Sequence, residues 1–137
     1  MEFKNKYGHV TLQHKNNIIT ASFAGNINDR LVNDVSNALL NRVKTFAGAP
    51  WGYISNSFSA QAATPEAEKS FVKLTTHMFN EGCIASAYIL GSTLAINQMQ
   101  RVLNNAGLNH LNIHDYLFNS LDDAKLYIEK MITEPAL

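Results

Sequence analysis

The feature that most constrains the fold is a nine-residue, mainly apolar run, CIASAYILG, at residues 83–91. A strand with one solvent-facing side alternates apolar and polar residues, whereas a run this continuous is typical of a strand buried on both faces. Such burial is found mainly in sheets of parallel strands, whose crossover helices cover the sheet. The run is too short to cross a bilayer, which needs about 20 apolar residues. We therefore predict the central strand of a helix-covered sheet here.

The segments around this run alternate between strand and helix patterns. Alternating apolar residues predict a hairpin, with strands at 9–14 and 17–25 joined at two asparagines. Further strands are predicted at 51–55 and, on a weaker pattern, at 111–116. Apolar residues at helical spacing predict helices within 28–48, 64–82, 94–107 and 120–132, the last stopped by Pro135. The order is ββαβαβαβα: an α/β fold with a mostly parallel five-stranded sheet, an N-terminal antiparallel hairpin and covering helices.

Length and charge narrow the class of protein. The 137 residues fit one domain, spanning 1–137. Eleven basic and eleven acidic residues balance, without the clustered basic face that nucleic-acid binding requires. A neutral chain has little electrostatic self-repulsion, which favours a homodimer. Cys83 is the only cysteine, which excludes an internal disulfide and fits a reducing compartment. The N-terminus lacks an apolar signal region, so we expect a cytoplasmic protein without stable membrane insertion.

Thr64 marks the start of the second predicted helix. The sequence Thr64-Pro65-Glu66 reads as a side-chain cap, a proline at the first helical position and an acid near the positive end of the helix dipole. The same position would also suit a phosphate, because free backbone N–H groups point toward it. The sequence is therefore compatible with two roles for Thr64: a helix cap and a site of regulatory modification.

Residues that could carry chemistry are sparse. There is no glycine-rich phosphate loop, and Ser92 and Thr93 after Gly91 fit a helix cap. His110 and His114 are four apart on a predicted strand, where they would lie roughly 13 Å apart, too far to bind one metal ion. We predict no metal site and no cofactor. The residues favour a non-catalytic protein. The alternative is a hydrolase that uses His114 and Asp115.

Polar residues follow several predicted strands. In parallel α/β sheets ligands bind beyond the carboxyl ends of the strands. We therefore expect a ligand or partner surface there, formed by the following residues: Asn28, Asn56, Phe58, Ser92, Thr93, Asp115 and Tyr116.

Five short stretches resemble a known family: FAGNIND, FAGAPWGYISNS, TPEAEKSF, AYILGS and FNSLDDAKLYI. Together they span roughly residues 8–132 and are similar to STAS-like domains, the sulfate-transporter and anti-sigma-factor-antagonist domains, and to small bacterial proteins of that fold without assigned activity. In the antagonists a serine at the start of the second helix, within an Asp-Ser-Ser-Gly type motif, is phosphorylated and controls partner binding. This chain has AATPEAEKS at that place, which makes Thr64 the positional counterpart, with Ser57 and Ser59 as neighbouring candidates.

These observations lead to three functional hypotheses. The first is a non-catalytic regulatory module that binds a protein partner and is controlled by modification at the start of the second helix. The second is a domain that binds a small molecule or lipid in an apolar pocket under the 56–64 loop. The third is the hydrolase built on His114 and Asp115.

Overall fold

One mixed sheet of five strands organises the chain, which the computed structural model describes over residues 1–134. The strands are Glu2–Lys4 (β1), Gly8–Lys15 (β2), Ile18–Gly25 (β3), Trp51–Ala60 (β4) and Cys83–Leu90 (β5). The helices are Asp29–Val43 (α1), Pro65–Asn80 (α2), Thr93–Asn105 (α3) and Leu121–Thr133 (α4). Two short 3-10 helices span Lys44–Phe46 and Ile113–Tyr116. None of the helices in the described part of the chain has the length and apolarity needed to cross a membrane.

The strands lie in sequence order, β1 to β5, across the sheet. The pairs β1–β2 and β2–β3 are antiparallel, whereas β3–β4 and β4–β5 are parallel. The predicted hairpin is confirmed as β2–β3, and its turn residues Asn16 and Asn17 have φ of 53° and 64°. Asparagine tolerates this left-handed conformation better than most residues, which explains the turn. Because a helix follows each of β3, β4 and β5, helices α1, α2 and α3 start at the edge where these strands end. We call it the carboxyl edge.

Helices cover both faces of β4 and β5. The larger apolar cluster joins α1 and α2 to one face and contains Trp51 and Tyr88, exposed by 0% and 1%. On the opposite face, Ile128 of α4 packs directly on Gly52, and Ala87 is fully buried beside it. Since Ala87 and Tyr88 are adjacent and belong to different clusters, β5 is buried on both faces. This confirms the two-sided burial predicted from its continuous apolar run. The predicted central position is wrong, because β5 is the last strand in the order β1 to β5.

Two parts of the predicted sheet are wrong. Residues 111–116 do not form a strand: Asn112 accepts a hydrogen bond from the backbone of His114, at 3.0 Å, and starts the second 3-10 helix. After this helix the chain pairs with β5 at a single parallel bridge, between Leu117 and Tyr88. The fifth strand is instead β1, at the N-terminus, so the sheet is mixed rather than mostly parallel. The stop predicted at Pro135 lies outside the described residues.

Strand β4 is longer than predicted and irregular at its end. It continues to Ala60, which reduces the predicted 56–64 loop to residues 61–64. Asn56 pairs with Ser22 and Ser59 with Ala24, so β4 has one residue more than β3 between these pairs. Such a bulge can turn a side chain outward. The carbonyl oxygen of Phe58, within this bulge, lies so close to Gly91 that a Cβ at residue 91 would clash with it.

We expect Gly91→Ala to destabilise the protein by about 1–3 kcal/mol, because the added methyl group would displace the Phe58 backbone. Urea unfolding measures the change. Asn37→Ala, at an exposed position of α1, is the control and should stay within about 0.5 kcal/mol. Equal stability of the two variants would show that the bulge does not require a glycine at residue 91.

Candidate functional site

Thr64 lies at the carboxyl edge and caps α2. Its Oγ1 accepts a hydrogen bond from the backbone N–H of Ala67 at 3.1 Å, and Pro65 takes the first helical position. The backbone N–H of Thr64 donates to the carbonyl of Ile27 at 3.1 Å. The predicted cap is therefore confirmed. The Thr64 side chain is nevertheless exposed to solvent.

The loop at residues 61–64 is held from both sides. Toward β3, the N–H of Gln61 donates to the carbonyl of Gly25 at 3.0 Å. Toward α3, the Gln98 carboxamide pairs with the backbone of Ala63: Oε1 accepts from its N–H at 2.8 Å, and Nε2 donates to its carbonyl at 2.9 Å. This pair of hydrogen bonds fixes the path of the chain as it approaches Thr64. The position of α3 and the conformation of the loop are therefore linked.

One ion pair joins α3 to the first turn of α2. The Arg101 guanidinium donates to the Glu68 carboxylate, with Nη2 and Oε1 at 2.8 Å, and no other ion pair forms within residues 1–134. The hydrogen bond from Arg101 holds the pKa of Glu68 below its usual range. Glu68 follows Thr64 by one helical turn, so a charge added to Thr64 would lie close to this pair.

The other two modification candidates differ in accessibility. Ser57 is buried, with 9% of its surface exposed, and its hydroxyl lies 2.9 Å from that of Ser55. Ser59 is exposed at the end of β4. Thr64 and Ser59 are therefore exposed to solvent in this conformation, whereas Ser57 faces the interior.

Three large apolar side chains are exposed at the carboxyl edge. Phe58 in the bulge is 67% exposed, and Leu94 in the first turn of α3 is 72% exposed. Tyr7, 65% exposed, precedes Gly8, which pairs with Gly25 at the end of β3. We call Tyr7, Phe58 and Leu94 the edge patch. Within residues 1–134 only Met1 and Leu126 are other large apolar residues with comparable exposure, and Ile84 is less exposed, at 40%.

Sequence reasoning selected Phe58 but missed Tyr7 and Leu94. Leu94 falls outside the apolar stripe of its helix, whose members Met99 and Val102 point inward, so its exposure could have been read from the helical spacing. Tyr7 gives no such signal, because it lies in a turn between β1 and β2 and β1 was not predicted.

The remaining surface candidates are distributed over different places. Asn28 and Ser92 cap α1 and α3, accepting hydrogen bonds from the backbones of Leu31 and Ala95 at 3.0 and 3.1 Å. Thr93 is exposed at the start of α3. Asn56 lies on the α4 face of the sheet and donates to the hydroxyl of Ser22 at 3.4 Å. Asn28, Ser92 and Thr93 therefore reach the carboxyl edge with Thr64.

Asp115 and Tyr116 do not follow a strand end. They lie in the second 3-10 helix, and the Tyr116 ring packs against that of Tyr127 with centroids 6.4 Å apart. Their predicted place at the carboxyl edge is therefore wrong, because it depended on a strand at 111–116 that the chain does not form.

The arrangement required by the hydrolase hypothesis is missing from residues 1–134. His114 is exposed, and its ring makes no hydrogen bond to a serine or threonine hydroxyl there. Burial raises the pKa of the Cys83 thiol to about 12, so this group stays protonated at neutral pH. The same residues contain no group of three His, Cys, Asp or Glu side chains that could hold a metal ion.

The cavity beneath the 61–64 loop is small. Its volume is about 40 Å³, between Phe23, Phe71 and Met99 on the apolar side and Ser55 and Ser57 on the polar side. Binding sites for drug-sized ligands usually measure about 300–1,000 Å³. The space holds little more than one water molecule and does not favour the hypothesis of a lipid pocket under this loop.

We expect Thr64→Ala to lower the free energy of unfolding by about 1 kcal/mol, because the N–H of Ala67 loses its partner. Thr64→Ser keeps the hydroxyl and should remain close to wild type. Urea unfolding of the two variants compares them. A stable Thr64→Ala protein would mean that the hydroxyl adds nothing to folding.

The Glu68–Arg101 pair gives a prediction about pH. Because the pKa of Glu68 is lowered in the folded state, the pair stabilises the protein above the unfolded pKa of this carboxyl, and the effect is lost as the pH falls through the folded value. Arg101→Gln should raise the Glu68 pKa, measured by NMR titration, and should change the stability only slightly because the pair is at the surface. Lys69→Gln is the control, and a Glu68 pKa unchanged by Arg101→Gln would contradict the assignment.

Two solved structures share the architecture of this chain. An anti-sigma factor antagonist from Mycobacterium paratuberculosis has a TM-score of 0.55 and 14% sequence identity, over 88% of this chain and 92% of that one. The structure of SLC26A9 has a TM-score of 0.57 and 13% identity, over 85% of this chain but only 20% of that much longer one. No protein-family model matches the sequence, and no curated protein does. The likeness is one of architecture, and by it the chain has the STAS-like fold.

Proposed function

We propose that the chain is a regulatory module that binds a protein partner at its carboxyl edge and is controlled by modification of Thr64. One observation carries the proposal: the exposed edge patch lies at the same edge of the sheet as the accessible Thr64 hydroxyl. Exposed aromatic side chains at the centre of an interface often supply most of its binding energy. The similarity to an anti-sigma factor antagonist supports this class of function at the level of the fold.

Electrostatics suggest how the modification would act. A phosphate on Thr64 adds nearly two negative charges next to an apolar binding surface, and desolvating it on complex formation would oppose partner binding. The start of α2 would attract the phosphate, while Glu66 and Glu68 would repel it. Arg101, whose side chain is 56% exposed, is a cation held close to the start of α2 by its ion pair with Glu68. Modification should therefore weaken the complex. Ser59 is the second candidate site.

We infer that the chain binds a protein partner in the cytoplasm and uses no cofactor. A second copy of the chain is the alternative partner for the carboxyl edge, because the neutral net charge favours self-association. Native mass spectrometry of the protein from its own host separates the two, because a homodimer has twice the mass of the chain. Peptide mapping of residues 51–82 in the same sample locates a phosphate on Thr64, Ser59 or Ser57.

The edge patch gives the sharper test. We expect Phe58→Ser and Leu94→Ser each to weaken the complex with the captured partner at least tenfold, because each removes an apolar anchor. Leu126→Ser is a matched control: Leu126 is 65% exposed, but on α4. Thr64→Asp should act like the anchor variants and Thr64→Ser like wild type. Equal binding by all variants, measured by titration calorimetry, would exclude the carboxyl edge as the interface.

A further inference from the structure

A second concave surface lies on the other side of the sheet from α1 and α2. It is a groove of about 470 Å³ between the end of the β2–β3 hairpin and α4, lined in part by Gln13, Lys15, Ile18, Thr20, Lys125 and Glu129. We call it the α4 groove. Its volume is within the usual range of small-molecule sites and is more than ten times that of the cavity under the 61–64 loop.

The floor of the α4 groove contains a polar side chain. Thr20 is only 8% exposed and lines the groove. Its hydroxyl can donate or accept a hydrogen bond. Beside it the side chain of Ile18, 5% exposed, supplies an apolar surface. The floor therefore offers a hydrogen-bonding group next to a flat apolar contact.

The walls of the groove carry uncompensated positive charge. Lys15 comes from the end of β2 and Lys125 from α4, so the two ammonium groups belong to opposite walls. Glu129 follows Lys125 by four residues, yet neither lysine forms an ion pair within residues 1–134. A lysine that precedes its glutamate on a helix is in the less favourable orientation for pairing. With two lysines and one glutamate, the lining has a net charge of +1, which complements a monoanion.

We propose that the α4 groove binds a small organic monocarboxylate. Its carboxylate lies between Lys15 and Lys125, its apolar body covers Ile18, and a polar atom reaches the Thr20 hydroxyl. Charge-assisted hydrogen bonds to the carboxylate supply the specificity. The site lies at the amino end of β3, whereas the proposed partner surface lies at its carboxyl end, so the two proposals are independent.

The probe is sodium benzoate, with benzamide as a neutral analogue of the same shape. We expect benzoate to shift the backbone NMR signals of Thr20 and Lys125 saturably at millimolar concentration, and benzamide to leave them unchanged. Lys125→Gln should weaken benzoate binding about tenfold or more, since the lost group is charged. Lys73→Gln, an exposed lysine of α2 outside the groove, is the control. Thr20→Val tests whether the hydroxyl contributes to benzoate binding. If Thr20→Val fails to fold, Lys125→Gln still tests the site.

Several outcomes would overturn this proposal. Equal shifts with benzamide would exclude recognition of the charge, and shifts with inorganic phosphate but not benzoate would exclude an organic carboxylate. No saturation of the groove signals up to about 10 mM benzoate would exclude a site of this affinity class. Loss of binding in Lys73→Gln as well as Lys125→Gln would show that only overall charge matters.

Discussion

The structure depends on the burial of β4 and β5 on both faces. Trp51 and Tyr88 pack beneath the helices of one side, while Ile54 and Ala87 pack beneath α4. Complete burial of one large apolar side chain contributes about 1.5–3 kcal/mol, whereas an exposed ion pair contributes about 0–1 kcal/mol. With a single ion pair in residues 1–134, apolar packing is the dominant stabilising term there. Both helical layers pack on the same two strands, β4 and β5. Removal of either layer would expose one face of these strands and so weaken the support of the other layer.

Apolar periodicity predicted most of this fold because the buried elements have strong patterns. The four helices, the β2–β3 hairpin and the doubly buried strand β5 could all be identified from the sequence, whereas the position of β5 at the edge of the sheet could not. Strand β1 could not, because Glu2–Lys4 is a three-residue edge strand with charges at both ends and only Phe3 packed on the core. Residues 111–116 have an apolar pattern that also fits a 3-10 turn, and the Asn112 side chain decides between the two.

The candidate site was predictable only in part. Thr64 carries a local signature, since a threonine before a proline and two acids specifies a helix start whatever the remainder of the chain does. The bulge at Phe58 has no such signature, because it arises from the mismatch in length between β3 and β4 and from the glycine at residue 91 that faces it. The placement of distant exposed side chains, such as Tyr7 and Leu94, at the same edge of the sheet requires the tertiary arrangement itself.

The two borders of the sheet restrict how copies of this chain can associate. Sheets grow edge to edge when an outermost strand is long, flat and apolar. Here one border is β1, three residues long and bearing Glu2 and Lys4, and at the other the chain at Leu117 and Phe118 already occupies the outer side of Tyr88. Continuous sheet extension, with its risk of fibre formation, is therefore discouraged at one border by the short, charged β1 and interrupted at the other at Tyr88. Copies that associate without extending the sheet would do so through helices and loops, where side chains rather than backbone groups determine the partner.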